Sequence, residues 1–169
     1  MKFRRARLDT SVREQIAIPK NERVITWGIG DAANPEQSHV VATNAALYEQ
    51  RTGQRIEWQS VVKGTWEQPD FVIDFEGPGG SQRIRIPVDD ARDLPAAVRD
   101  RVTDTVVVSE HRTLRDDKGA QFVARRSPDG DISDIRWSVV FDAGLDPRDP
   151  ALRQWADNEL ADLRASLGI

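Results

Sequence analysis

The fold is decided by residues 23–75, which read RVITWGIGDAANPEQSHVVATNAALYEQRTGQRIEWQSVVKGTWEQPDFVIDF. Short segments rich in β-branched and aromatic residues fill most of this stretch, and turn-forming residues separate them. Such segments with alternating apolar and polar positions are typical of strands that are buried on one face. The predicted strands are residues 24–27, 40–43, 46–48, 55–58, 61–66 and 71–75. The stretch therefore predicts an antiparallel meander.

The meander is predicted to continue through one more strand, residues 81–86, and a helix then follows. Leu94, Val98 and Val102 are spaced four residues apart and form a narrow apolar stripe on that helix. An amphipathic helix after a long meander can cover the open end or one face of a curled sheet. A short helix over residues 9–16 is predicted before the first strand.

A second unit is predicted after residue 104. Its three strands are expected at residues 105–114, 121–126 and 135–141, and the last of these shows the clearest alternation. Asp149-Pro150 is a strong helix start, because an N-cap residue precedes proline at the first helical position. This three-strand, one-helix unit is small, so we expect it to pack on the first domain or on another copy of itself.

Composition limits the classes of function. The 169 residues are 38% hydrophobic and 31% charged, as in an ordinary globular protein. The absence of cysteine excludes disulfides and thiolate metal sites and fits a cytoplasmic location. The N-terminus has no apolar run of the signal-peptide kind, and no apolar stretch is long enough to span a membrane. A net charge of −4 argues against nucleic acid or an anionic membrane as the main partner.

The strand pattern also carries a resemblance. The runs ERVITW (22–27), VVATNAALY (40–48), RIEWQSV (55–61) and VVSEH (107–111) resemble an uncharacterised family of small actinobacterial proteins whose N-terminal domain is pleckstrin-homology-like (PH-like). The fold class is accordingly predicted as α+β, mainly β. With the patterns above, the chain is predicted to consist of an N-terminal arm with a short helix (1–20), a meander or barrel capped by a helix (21–104), and a three-strand plus C-terminal helix unit packed on it (105–169); the resemblance implies that the middle part is PH-like.

The resemblance allows one familiar role to be tested on the sequence. PH-like domains that bind phosphoinositides usually do so through Lys and Arg around the loop between the first two strands. In this chain that loop is residues 28–38, which contain two acidic residues and no basic one. Because the loop has no guanidinium or ammonium donors for a phosphate, phosphoinositide binding by this route is not expected.

No residue pattern predicts a catalytic or metal centre. His39 and His111 are the only histidines, and His39 is expected to be exposed beside a turn. Glu110 and His111 are adjacent on a strand, so their side chains should point to opposite faces. The acidic clusters at residues 89–93 and 116–117 are interpreted as a helix start and a solvated turn, and Asp129-Gly130-Asp131 lacks the rest of a calcium loop. We expect no cofactor, no metal and no enzymatic activity.

The tryptophans suggest a surface. Trp27, Trp137 and Trp155 lie on predicted apolar faces and should pack in cores. Trp58 and Trp66 flank the place where a PH-like sheet turns a corner, and an exposed tryptophan there could anchor a protein interface.

Three functional hypotheses follow from these patterns. The first is a non-catalytic protein-binding or scaffold module, with an unknown partner or self-association. The alternative is a small-ligand binder or enzyme that uses a cleft between the two units around His111, with Glu110 and Arg125 nearby. In that second unit Arg112 and Arg125 could also form a small basic patch. A third hypothesis is peripheral membrane association through the basic arm of residues 4–7.

Overall fold

The computed structural model describes residues 7–128, 130 and 134–168. The chain divides into two compact units, residues 1–105 and residues 106–169. Strands predominate over helices, so the predicted α+β, mainly β, class is confirmed. The sheets are all antiparallel.

In the first unit, helix α1 is followed along the chain by a four-stranded sheet and then by a three-stranded sheet. Helix α1 spans Thr10–Gln15, and Asp9 caps it by accepting a hydrogen bond from the Ser11 amide at 2.8 Å. The first sheet has the order β1-β2-β3-β4 and the second has the order β5-β6-β7. The strands are β1 (Val24–Ile29), β2 (His39–Thr43), β3 (Ala46–Glu49), β4 (Gln54–Glu57), β5 (Val61–Glu67), β6 (Asp70–Gly77) and β7 (Gly80–Pro87).

One apolar core joins the two sheets of this unit to the helix that follows them. Helix α2 spans Leu94–Asp104, and its buried residues Leu94 and Val98 contact the core. Phe71, Ile73 and Phe75 share the buried face of β6, as their alternation predicts. Full burial of such side chains contributes about 1.5–3 kcal/mol each, so this core dominates the stability of the unit.

The opposite face of the first sheet is covered by the segment around α1. Ile18 packs there against Val41 and Tyr48. A buried carboxylate fixes the end of the segment, because Glu22 accepts hydrogen bonds from the Thr43 hydroxyl at 2.6 Å and the Tyr48 hydroxyl at 3.0 Å. Burial raises the pKa of Tyr48. The segment is therefore held at a defined position beside β1.

The second unit has one three-stranded sheet and one helix. Its strands, in the order β10-β9-β8, are β8 (Val106–Arg115), β9 (Lys118–Arg125) and β10 (Arg136–Phe141). Helix α3 (Pro150–Leu167) starts at the predicted Asp149-Pro150 cap and ends at Gly168, whose φ of 69° is left-handed. Ala120 and Phe122 of β9 form a core with Ala156 and Leu163 of α3.

Candidate functional site

An open groove lies between strand β5 and helix α2 in the first unit. Its volume is about 490 Å³, within the range of ligand and peptide pockets. It is named here the β5–α2 groove. Its lining residues are Gly64, Trp66, Phe71, Pro95, Ala96, Val98, Arg99, Val102 and Thr103. The groove thus combines one face of a strand with one side of a helix.

The strand wall of this groove is a sheet edge. In the order β5-β6-β7, β5 pairs with β6 and has no second strand neighbour in the described part of the sheet. Gly64 lies in the middle of β5 opposite Ile73, and it has no side chain to fill the space towards α2. A Cβ built on Gly64 would lie 3.9 Å from Cγ1 of Val98, at ordinary van der Waals distance. The space between Gly64 and Val98 is therefore about the size of one methyl group, and the absent side chain leaves the adjoining part of the groove open.

The floor of the β5–α2 groove is aromatic. The rings of Trp66 and Phe71 lie 4.5 Å apart between centroids and are tilted by 51°, a favourable geometry for an aromatic pair. Phe71 is buried, whereas Trp66 is only partly buried and presents ring surface to the groove. On the helix, Val98 and Val102 are one turn apart and continue the apolar surface. An apolar side chain that binds here would contact the aromatic rings and the valines and would lose most of its contact with water.

The charged side chain in the lining of the groove is positive. Arg99 lies on the helix wall. Its guanidinium takes part in no ion pair within 4 Å in the described part of the chain. It is therefore available to pair with a carboxylate brought by a partner. Lys63 precedes Gly64 on β5 but lies opposite Asp74, on the other face of the sheet.

The expectation that Trp58 is an exposed interface anchor is wrong. Trp58 lies in a short 3-10 turn (Trp58–Ser60) rather than on a strand, and it is 0% exposed. Its indole N–H donates to the carbonyl oxygen of Thr43 at 2.9 Å, in the shared core of the two sheets. A tryptophan can be fully buried if its indole N–H finds a hydrogen-bond acceptor in the core, and the sequence does not show whether such an acceptor is present. Trp66 alone of the two reaches a groove.

The predicted residues of the second unit do not converge. Glu110 pairs with Arg112 at 2.8 Å, whereas His111 Nε2 contacts the Asp142 carboxylate at 2.9 Å. Glu110 lies opposite Phe122 in the sheet and His111 opposite Gln121, which puts the two neighbours on different faces. An amide hydrogen bond from Gly119, together with the contact to His111, lowers the pKa of Asp142.

Arg125 was expected as part of a solvated basic patch with Arg112, and this is wrong. Arg125 is 8% exposed, and its burial lowers its pKa. It lies opposite Val106 in the β8–β9 ladder, four positions along β9 from Gln121, the partner of His111. At about 3.3 Å per residue this places the backbone positions of Arg125 and His111 more than about 10 Å apart along the sheet. The hypothesis of a catalytic or ligand cleft around His111 stays a prediction.

His39, expected to be exposed, is also buried. It is 9% exposed, its Nδ1 contacts Oε1 of Gln50 at 3.0 Å, and its ring lies 5.4 Å from that of Trp27. Arg4 and Arg5 of the basic arm, and Asp129 and Asp131 of the calcium-like run, lie outside the described residues.

In residues 7–128, 130 and 134–168, no three His, Cys, Asp or Glu side chains are grouped so that they could hold a metal ion. No helix in the same residues is both long and apolar enough to cross a bilayer.

Sequence reasoning missed two parts of the groove. Gly64 looked like an ordinary strand residue, and the stripe of Val98 and Val102 was assigned wholly to the core. A glycine that interrupts the alternation of β5 two residues before a tryptophan was the available signal. Comparison with protein families, curated proteins and solved structures found no match to this chain. The resemblance to the actinobacterial family therefore stays a prediction.

Proposed function

We propose that this protein is a non-catalytic protein-binding module whose first unit is a PH-like domain. A four-stranded sheet, a three-stranded sheet and a closing helix follow one another in this unit, which supports the assignment. The β5–α2 groove is its binding site, and the ligand is an extended peptide segment of a partner protein. A groove lined by Gly64, Trp66 and Val98 beside an edge strand carries the proposal.

An edge strand beside a helix suits an extended peptide for a physical reason. Backbone N–H and C=O groups along a sheet edge can pair with an added strand, and main-chain hydrogen bonds then supply affinity independently of sequence. Side chains of the added strand alternate, so every second one would enter the space over Gly64 and Trp66. The groove would thus bind one or two side chains of the peptide and select for them.

The chemistry of the groove defines the peptide. The floor of Trp66 and Phe71 favours a bulky apolar side chain, and its burial is the main source of specificity. Arg99 favours an acidic residue next to it. We therefore expect a segment with alternating apolar residues and at least one Asp or Glu.

The test is a selection from a random peptide library displayed on phage, with the full-length protein immobilised. Peptides enriched on the wild-type protein are synthesised with a fluorescent label, and their affinities are measured by anisotropy against the wild type, Gly64→Val and Thr65→Val. Thr65 is adjacent on β5, and it points to the other face, so Thr65→Val is a matched control for strand composition.

The proposal requires peptides that are apolar and acidic and that lose at least tenfold in affinity on Gly64→Val but not on Thr65→Val. Equal binding to all three proteins would place the peptide elsewhere and overturn the site. A dimer that forms with rising concentration and disappears in Gly64→Val would instead show a second copy of this chain in the groove, which contradicts a separate peptide partner.

A further inference from the structure

A second groove lies on the other side of helix α2. Its volume is about 760 Å³, which is sufficient for a small molecule. It is named here the arginine groove. One wall is the segment around α1, a second is the beginning of β1, and the third is the first half of α2. Its charged and aromatic lining residues are Arg7, Arg13, Arg23, Trp27, Arg92, Asp93 and Asp100.

The walls of the arginine groove carry opposite charges. Arg7, Arg13 and Arg23 line the side formed by the α1 segment and β1, whereas Asp93 and Asp100 line the α2 side. Among the residues that the structure describes, no ion pair within 4 Å connects these arginines with these aspartates. Positive and negative groups therefore border one cavity without neutralising each other.

The position of one cation is fixed by neutral groups. The Arg13 guanidinium donates hydrogen bonds to the backbone oxygens of Pro19, at 2.5 Å, and Glu22, at 2.7 Å. Both acceptors are neutral carbonyl oxygens. The guanidinium is therefore held in position, and its positive charge is not neutralised by these contacts. Because the side chain is already ordered, a ligand anion that pairs with it would lose less side-chain entropy on binding.

The end of the groove near β1 shows a strained, stacked arginine. Arg92 has a φ of 46°, in the left-handed region that non-glycine residues rarely adopt. Its guanidinium carbon lies 3.7 Å from the centroid of the Trp27 ring, and its Nε donates to Asp90 at 3.1 Å. Strained residues held by several contacts are concentrated at ligand-binding positions.

We propose that the arginine groove binds a small bipolar molecule, with a carboxylate or phosphate group at one end and an ammonium group at the other. The anionic group pairs with Arg13 and Arg23, and the ammonium group pairs with Asp100. Ala96 and Ala97 on α2 form an apolar surface for the spacer between them. A polyanion is disfavoured because the aspartate wall would repel it. This site is separate from the peptide site proposed above.

The experiment is a titration of the ¹⁵N-labelled full-length protein followed by NMR, with the Trp27 indole N–H and the Asp100 amide as reporters. The probes are ε-aminocaproate, which carries both charges, and caproate and hexylamine, which carry one each on the same carbon chain. We expect saturable shifts with ε-aminocaproate at an affinity at least tenfold higher than with either control. Equal affinity for caproate or hexylamine, or no shift with ε-aminocaproate, would overturn the proposal.

Three variants locate the site. Arg23→Gln and Asp100→Asn should each weaken ε-aminocaproate binding about tenfold or more, since each removes one of the two charged contacts. Arg99→Gln is the matched control, because Arg99 is adjacent to Asp100 but lines the β5–α2 groove. The same spectra show whether each variant is folded. Loss of binding in Arg99→Gln, or unchanged binding in both other variants, would refute the assignment.

Discussion

Substitution of Gly64 by valine should separate binding from stability. Glycine in a strand interior is less favourable than a residue with a side chain by about 0.5–1 kcal/mol. Gly64 does not have a left-handed φ, and a Cβ there lies 3.9 Å from Val98, so the backbone and the Cβ are accommodated without strain and the γ-methyl groups extend into the groove. We expect Gly64→Val to increase the free energy of unfolding by about 0.5–1 kcal/mol, which corresponds to a rise in Tm of roughly 1–4 °C for a chain of this size.

The same substitution should weaken peptide binding strongly. The two γ-methyl groups of valine would occupy the space that the apolar side chain of the peptide needs, and a lost buried side chain costs about 1.5–3 kcal/mol. That is about a tenfold to hundredfold loss of affinity. Urea denaturation gives the stability and fluorescence anisotropy gives the affinity. A variant that is more stable and still binds the selected peptides with unchanged Kd would refute the argument. A variant that is destabilised by more than about 1 kcal/mol would show that the gap is not a free space.

Three further predictions concern stability. Trp58→Phe removes the indole donor of the Thr43 carbonyl and leaves a void beside it. The free energy of unfolding measured by urea denaturation should therefore fall by about 2–4 kcal/mol. Gly119→Ala would place a Cβ 1.8 Å from the carbonyl oxygen of Arg112, and the resulting shift of the β8–β9 hairpin should cost at least about 2 kcal/mol by the same measurement. The lowered pKa of Asp142 contributes stability that is present above the ordinary carboxyl pKa and is lost as pH falls through the lower folded value. Between about pH 5 and pH 2, the free energy of unfolding should therefore decrease less in Asp142→Asn than in the wild type.

Local patterns predicted most of the fold. The Asp149-Pro150 start of α3 was predicted because an N-cap depends on residues adjacent in sequence. The strands of the meander were predicted for the same reason, since alternation is a local property. Burial of polar or aromatic groups was not predicted. Trp58 and His39 are buried because distant segments supply their partners, and a single sequence gives no sign of those partners.

The two grooves were not predictable because each depends on how elements separated in sequence are placed. The stripe of Val98 and Val102 predicts an apolar helix face, but it does not predict that β5 would leave part of that face uncovered. The uncovered part results from a missing side chain at Gly64, which no hydropathy pattern records. In the arginine groove, the charges on residues 7–23 and 93–100 come together only because the α1 segment lies beside β1.

Helix α2 forms a wall of both grooves, and its sequence shows how one short helix can do this. Pro95, Val98, Arg99 and Val102 line the β5–α2 groove, whereas Asp93, Ala97 and Asp100 line the arginine groove. Ala96 lines both. A larger side chain at Ala96 would narrow both cavities at once, so a small residue is required there if both are used. The helix is anchored in the core by Leu94 and Val98, which leaves its two other sides available for ligands. A helix that only closed the core would need one apolar stripe, and the exposed charged residues Arg99 and Asp100 on its other sides would then have no role in packing.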